Sequence, residues 1–279
     1  MVLTAEEVQE RLARQAWTSH NLELAPGVWT MPGQVSFLET NMYLKAIRRV
    51  LALLYGPRLE KLRVADLGCL EGGFSVGFAR EGCEVVGVEV RPDNLEKCRL
   101  AAEQLGTERL SFVGGDVKEF TAGRFGTFDV VLALGILYHL DDPVQWIAQV
   151  AEATRGVLFL DTHFAPDSES LPAELDPRLS ALGPLTTAPS TTAQRGRWFH
   201  EFTTQEQRDA MPWASWSNPS SFWLTKQSLL TTVWTSGFSS VWEVHDGWSP
   251  RHEHLQRTYP RCLLAAVKQP GVAAALGSS

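Results

Sequence analysis

Apolar positions recur along the chain with two different periods, and the changes from one to the other mark its zones. Between Thr4 and Trp17, Val8, Leu12 and Ala16 fall at helical spacing, and Thr4 with Glu7 makes a capping-box pattern ahead of them. Ala25-Pro26-Gly27 and Met31-Pro32-Gly33 interrupt the pattern. A second helix is predicted over residues 35–55, with Met42, Leu44, Ile47, Val50, Leu51 and Leu54 apolar and Gly56-Pro57 as its stop. From 62 to 161 short apolar runs alternate with helical stretches. The predicted strands are Leu62–Leu67, Glu84–Val88, Leu110–Gly114, Phe128–Ala133 and Gly156–Asp161; the predicted helices are Gly73–Arg80, Pro92–Leu105 and Pro143–Ala153. Such βαβ alternation predicts an α/β fold, a Rossmann-like doubly wound and mostly parallel sheet, with its ligand crevice at the carboxyl ends of the strands.

After Asp161 the rhythm stops. Residues 164–197 are rich in Pro, Ser, Thr and Ala with little periodicity, which predicts a long loop or lid and not a packed layer. A Trp-rich stretch follows, then a helix at Thr225–Thr235, strands at Phe238–His245 and Arg261–Val267, and a disordered tail at Gly271–Ser279. The zones are therefore an N-terminal helical cap at 1–57, a core at 58–163, an irregular insertion at 164–223, closing elements at 224–270 and the tail.

Composition narrows the class. The chain has 279 residues, 44% hydrophobic and 20% charged, enough apolar material for a large globular core. Lys plus Arg is 25 and Asp plus Glu is 32, so the net charge of −7 argues against whole-protein affinity for nucleic acid or anionic membrane. Four cysteines without a CxxC pair suggest neither a disulfide framework nor a zinc site. The charged N-terminal helix does not read as a signal peptide, and no apolar run approaches the ~20 residues of a membrane span. A soluble, cytoplasmic protein is the expectation, with homo-oligomerisation left open. Seven of the ten tryptophans fall between Trp198 and Trp248.

The most informative segment is Val64-Ala65-Asp66-Leu67-Gly68-Cys69-Leu70-Glu71-Gly72-Gly73-Phe74-Ser75, a strand running into glycine turns and a helix. Its order, D-x-G-x-x-x-G-G, departs from the GxGxxG dinucleotide pattern. Asp66 would repel a pyrophosphate there but accept hydrogen bonds from an amino-acid moiety. The segment resembles the first motif of the class I S-adenosylmethionine-dependent methyltransferases. Val85-Val86-Gly87-Val88-Glu89, Gly114-Gly115-Asp116-Val117 and Phe128 to Leu140 are similar to the family's next three motifs, in order. The resemblance implies that residues 58–163 bind S-adenosylmethionine through Asp66, Gly68, Cys69, Gly72, Glu89, Asp116, Val117 and Leu134. In it, Glu89 accepts from the ribose hydroxyls and Asp116 meets the adenine amino group. Leu70 and Glu71 depart from the family's glycine pattern and make the turn bulkier and more acidic.

Methyl transfer to a hydroxyl needs alignment and removal of a proton. His139, Asp161 and His163, at or just past the ends of the fourth and fifth strands, are the candidate bases. Tyr138, Trp198, Glu201 and Asn218 are candidate acceptor contacts, aromatic faces beside polar tips suiting a polyhydroxylated molecule. Asp161 and Glu201, with His163 in reserve, are candidate ligands for Mg2+. His252-Glu253-His254 reads as a surface turn. Gly135-Ile136-Leu137-Tyr138-His139-Leu140 and Phe222-Trp223-Leu224-Thr225 resemble a subgroup containing both bacterial sugar or small-molecule O-methyltransferases and wobble-uridine tRNA carboxymethyl transferases. The acidic balance and dispersed Lys and Arg favour a small hydroxylated acceptor over nucleic acid. A cofactor-binding module without turnover is the alternative from another class.

Overall fold

The computed structural model describes residues 2–169, 176–186, 194–211, 213–245 and 260–268. The chain divides into two compact units, Met1–Glu119 and Phe120–Ser279. The division falls inside the stretch 58–163 that the sequence rhythm groups as one core.

In the first unit, helix α1 spans Ala5–Leu12 and begins with the capping box, Thr4 and Glu7 bonding reciprocally. The helix predicted over 35–55 is broken: Phe37–Thr40 is a separate turn, and α2 runs over Met42–Tyr55. Asn41 causes the break. Its backbone is extended and its side chain accepts the Leu44 N–H, so it caps a new helix instead of continuing the old one. Strand β1 (Arg63–Leu67), helix α3 (Gly73–Arg80), strand β2 (Glu84–Glu89), helix α4 (Pro92–Leu105) and strand β3 (Leu110–Gly114) follow. β1 and β3 pair in parallel with β2 on either side. Gly87 is required where β2 passes Phe112, because a Cβ there would lie 2.4 Å from that ring.

In the second unit, β4 (Phe128–Leu134), helix α5 (Pro143–Ala153) and β5 (Thr154–His163) complete a right-spaced βαβ unit with parallel strands. β6 (Arg195–His200), β7 (Ser220–Leu224), helix α6 (Lys226–Thr235), β8 (Ser240–Glu243) and β9 (Arg261–Val267) follow. β9 pairs antiparallel with β5 along its length, and β8 antiparallel with β9. β1, β2 and β3 are parallel in the first unit and β4 and β5 are parallel in the second, where β9 and β8 add antiparallel pairs, so the architecture is mixed α/β and mostly parallel, as the rhythm predicts. Among the described residues no helix is long and apolar enough to cross a membrane.

The insertion corrects the expectation of an unpacked loop. β6, β7 and Gly183–Pro184 form their own three-stranded antiparallel sheet. Beneath it Ala165, Leu179, Phe199 and Trp223 make a small buried core. The strands are short and pair with each other across a long stretch of Ser and Pro, so no local period announces them. Arg197 ties the arrangement down. It is 1% exposed, and its guanidinium donates to the carbonyls of Pro166 (3.2 Å), Ser180 (2.8 Å) and Ser168. Arg197→Met is expected to destabilise the second unit by about 3 kcal/mol, since each stranded buried carbonyl costs ~1–3 kcal/mol and removal of a buried cation returns part of that. Chemical denaturation checks it: an unchanged midpoint would mean that those carbonyls find other donors.

Residues 1, 170–175, 187–193, 212, 246–259 and 269–279 lie outside the description, and with them Trp248, the His252-Glu253-His254 turn and the tail.

Candidate active site

The turn from β1 into α3 is built on left-handed backbone. Gly68, Leu70 and Gly72 have φ of 67°, 53° and 76°. For Leu70 this costs about 1 kcal/mol, so the surroundings must hold it there. Its N–H donates to Glu89 Oε2 (2.9 Å), and the Cys98 thiol donates to its carbonyl (3.1 Å). The N–H groups of Gly68 and Cys69 both donate to the Val88 carbonyl, folding the turn back against the end of β2. Glu89 Oε1 takes the Arg91 N–H at 2.8 Å, so the carboxylate is fixed at both oxygens. Each oxygen has a second lone pair, and a rigid carboxylate with two acceptor sites suits a vicinal diol such as a ribose. Burial pushes Glu89 above the usual carboxylate range.

The other cofactor candidates divide. Asp116 Oδ1 accepts the Lys118 N–H at 3.0 Å at the end of β3, and Val117 beside it is buried. Cys69 is buried, with its sulfur 3.9 Å from that of Cys98. Leu134, half-buried, ends β4 in the second unit. Asp66, expected to accept from an amino-acid moiety, faces Ser75 inside the first unit. It is 2% exposed and accepts the Ser75 hydroxyl at 2.6 Å, which joins β1 to α3.

Burial pushes Asp66 up to about 6 against an ordinary 3.8. The folded protein therefore holds this proton more tightly than the unfolded chain. Stability from this group is complete at low pH and falls by about 3 kcal/mol as pH rises through 6. Asp66→Asn keeps a partner for Ser75 and removes the titration. In thermal melts without cofactor the variant is expected to gain on the wild type between pH 4 and 8; parallel curves would refute the buried acid.

In the second unit, β4 ends in a helical turn at Leu137–His139. Its three consecutive outward carbonyls are all capped from β7 and the residues before it. Trp223 Nε1 donates to Tyr138 O (2.9 Å), Asn218 Nδ2 to His139 O (2.9 Å), and the Phe222 N–H to Leu140 O (2.8 Å). The insertion thus fixes the turn in place. His139 Nδ1 lies 2.9 Å from Glu201 Oε1, and the same oxygen accepts the Ser221 hydroxyl at 2.8 Å. Glu201 is buried, whereas the His139 ring keeps some exposure. A carboxylate that acts only as acceptor makes Nδ1 the donor, which leaves Nε2 with its lone pair.

Other expected residues have structural partners. Asp161 is held by a bidentate pair with Arg261, Nε lying 2.9 and 3.0 Å from its two oxygens. Its oxygens are thereby engaged by Arg261 and, at 3% exposure, withdrawn from solvent, which argues for a structural role. Among the described residues no group of three His, Cys, Asp or Glu could hold a metal ion. The expectation of Mg2+ on Asp161 and Glu201 is corrected accordingly: one carboxylate serves Arg261 and the other serves His139 and Ser221. His163 stacks on Trp223 (centroids 5.0 Å, planes 12° apart), and Phe199 stacks on it as well (4.7 Å, 13°). These two rings and its buried position (3% exposed) leave Trp223 no face for an acceptor. Trp198 packs edge-on to Phe222, and Asn218 spends its amide on His139 O, Ser220 O and Ser221 Oγ. Tyr138 stays beside His139, with ring centroids 4.3 Å apart, and burial pushes its phenol up. Ser221 and Arg261 were not legible as site residues: one is a lone serine on a strand, the other lies a hundred residues from Asp161.

A methyltransferase-domain family model matches residues 59–208, more than half of the chain. The chain belongs to the methyltransferase family. The N-terminal domain of EvdMO1, in a crystal structure in the presence of S-adenosylhomocysteine and D-fucose, superimposes with a TM-score of 0.69 at 19% identity, covering 96% of this chain and 98% of that one. Magnesium protoporphyrin IX methyltransferase from Synechocystis PCC 6803 with bound S-adenosylmethionine gives a TM-score of 0.50 at 17% identity, over 95% and 92%. The fold is that of the class I S-adenosylmethionine-dependent methyltransferases. Among curated proteins, the Escherichia coli O-antigen chain terminator bifunctional methyltransferase/kinase is 30% identical over 35% of this chain and 15% of its own length. A ubiquinone biosynthesis O-methyltransferase of Vibrio parahaemolyticus is 29% identical over 50% and 59%. The matches thus span less than two thirds of either relative.

Proposed function

We propose that this methyltransferase transfers a methyl group from S-adenosylmethionine to a hydroxyl of a small, uncharged, polyhydroxylated acceptor, a sugar or short saccharide. The observation that carries the reading is the His139–Glu201 pair, 2.9 Å apart and steadied by Ser221. A histidine oriented by a buried carboxylate is the arrangement a hydroxyl nucleophile calls for, because the proton must leave as the oxygen becomes bonded to carbon. Bound S-adenosylmethionine supplies an electrophilic methyl group on a sulfonium, open to in-line displacement. Glu89 holds the ribose diol and the turn at Gly68–Gly72 carries the methionine portion. His139 Nε2 takes the hydroxyl proton, and Glu201 stabilises the imidazolium that results. Asp161–Arg261 contributes no net charge beside Tyr138, which favours a neutral acceptor over a carboxylate or phosphate ester. The D-fucose present with the EvdMO1 domain and the O-antigen context of the Escherichia coli relative support the sugar class.

Transfer of labelled methyl to a panel of free sugars, short saccharides, phenols and tRNA tests the reading. Incorporation into a sugar is the expected result, and incorporation into phenols or tRNA alone would overturn it.

A further inference from the structure

The residues that set the cofactor turn apart from its family pattern, Leu70 and Glu71, are put to a definite use. The Glu71 side chain is fully buried and faces a strap formed by residues 17–21. Three successive main-chain N–H groups of that strap converge on it: Thr18 at 2.7 Å, Ser19 at 3.0 Å and His20 at 2.9 Å. The Thr18 hydroxyl (3.2 Å) and the Lys97 ammonium (3.2 Å) complete its shell. Burial alone would raise this carboxyl, but the three N–H groups and Lys97 outweigh it and hold it below the usual range. The attachment runs both ways. Gly73, the first residue of α3, donates its N–H to His20 Nδ1 at 2.9 Å, and the imidazole is packed by Phe37 and Phe74. His20 is kept neutral by burial, down to about 4, so Nδ1 remains an acceptor at ordinary pH. A Cβ on Gly73 would lie 2.7 Å from this ring, so only glycine admits it.

A glycine at position 71 would leave the strap without its acceptor. The left-handed backbone at Leu70, one residue before, is held in a conformation that leucine rarely adopts. We infer that Glu71 is a positioning residue for the cofactor: it fastens the 17–21 strap to the turn, and the fastened strap holds Gly68–Gly72 in the shape that receives the methionine portion. Strap and cofactor are then coupled, and the coupling is reciprocal. The inference rests on the assignment of S-adenosylmethionine to this turn.

Titration calorimetry with S-adenosylhomocysteine, paired with hydrogen exchange at the amides of residues 18–20, tests it on the full chain. In the wild type the ligand is expected to slow exchange at those amides. Glu71→Gln keeps the volume but loses the charge and one acceptor oxygen; its Kd is expected to rise about tenfold or more, with ligand-induced protection lost. Glu71→Ala should show the same effect more strongly, and where it fails to fold the glutamine variant decides. Glu81→Gln, which breaks the Arg48 pair elsewhere in this unit, is the control and should leave Kd within about twofold. Equal Kd for wild type and Glu71→Gln, or protection that persists in the variant, would overturn the positioning role alone. A wild type that binds no S-adenosylhomocysteine would overturn the cofactor assignment and this inference together.

Discussion

Replacing His139 by alanine is expected to lower kcat by about 10²-fold or more while S-adenosylhomocysteine affinity stays within about twofold. The split follows from where the residue sits. His139 belongs to the turn after β4, and its ring is engaged by Glu201 on the insertion, whereas Glu89 and the Gly68–Gly72 turn, to which we assign the cofactor, belong to the first unit. Glu201→Gln should fall between the wild type and His139→Ala. The amide can still meet Nδ1, but it presents a donor or an acceptor with equal ease, so the tautomer with a free Nε2 is no longer enforced. Without the carboxylate the imidazolium also loses its counter-charge. The decisive result is the double variant. If the two residues act as one unit, His139→Ala with Glu201→Gln is expected to be no slower than His139→Ala alone. Additive losses would mean that Glu201 contributes by another route, such as direct contact with the acceptor, and full activity in His139→Ala would remove the base assignment. Initial rates of methyl transfer, alongside calorimetry, separate these cases.

What the sequence made legible follows from how local each feature is. Helices α3, α4 and α5 have the predicted limits, because their starts and stops are written in adjacent residues: Pro92 and Pro143 at first positions, Gly106 beyond the end of α4. The capping box at Thr4 and Glu7 and the glycine turn after β1 are readable for the same reason. The insertion was not, since its strands find partners only through contacts such as Arg197 with Ser168 and Ser180, and Trp223 with Tyr138. The aromatic cluster is visible in composition, but which of its rings pack the insertion and which stay open is not, because that depends on contacts between distant residues. Trp223 stacks with Phe199 and His163 and donates to the Tyr138 carbonyl, so it braces the turn that carries His139. Asn218 braces the His139 carbonyl, a contact across 79 positions that no local pattern announces. Carboxylates were the least legible groups. Of the buried carboxylates, Asp66, Glu71, Asp161 and Glu201 are each assigned by a partner far from it in sequence or on another element: Ser75, the strap, Arg261 and His139. A buried carboxylate must find such a partner, but the sequence does not say which one.

Glu89→Ala is expected to weaken S-adenosylhomocysteine binding by about 10²-fold or more, the largest effect of any single change in the first unit. Two losses add. The carboxylate no longer accepts from a ribose diol, and charge-assisted bonds of this kind contribute ~1.5–3 kcal/mol each. The N–H groups of Leu70 and Arg91 also lose their acceptor, so the left-handed residue at 70 is freed to relax and the turn loses its shape. Glu89→Gln separates the two contributions. Its single carbonyl oxygen can satisfy one main-chain N–H or part of the diol, but not both, and its amide donates where two acceptors are needed. It is expected to recover some of the stability lost in Glu89→Ala while recovering little of the affinity. Burial already disfavours the charged form of Glu89, so lowering the pH should reproduce part of the loss in the wild type and none of it in Glu89→Gln. Calorimetry across a pH series reads both effects, and affinity in Glu89→Ala within tenfold of the wild type would place the ribose on other residues.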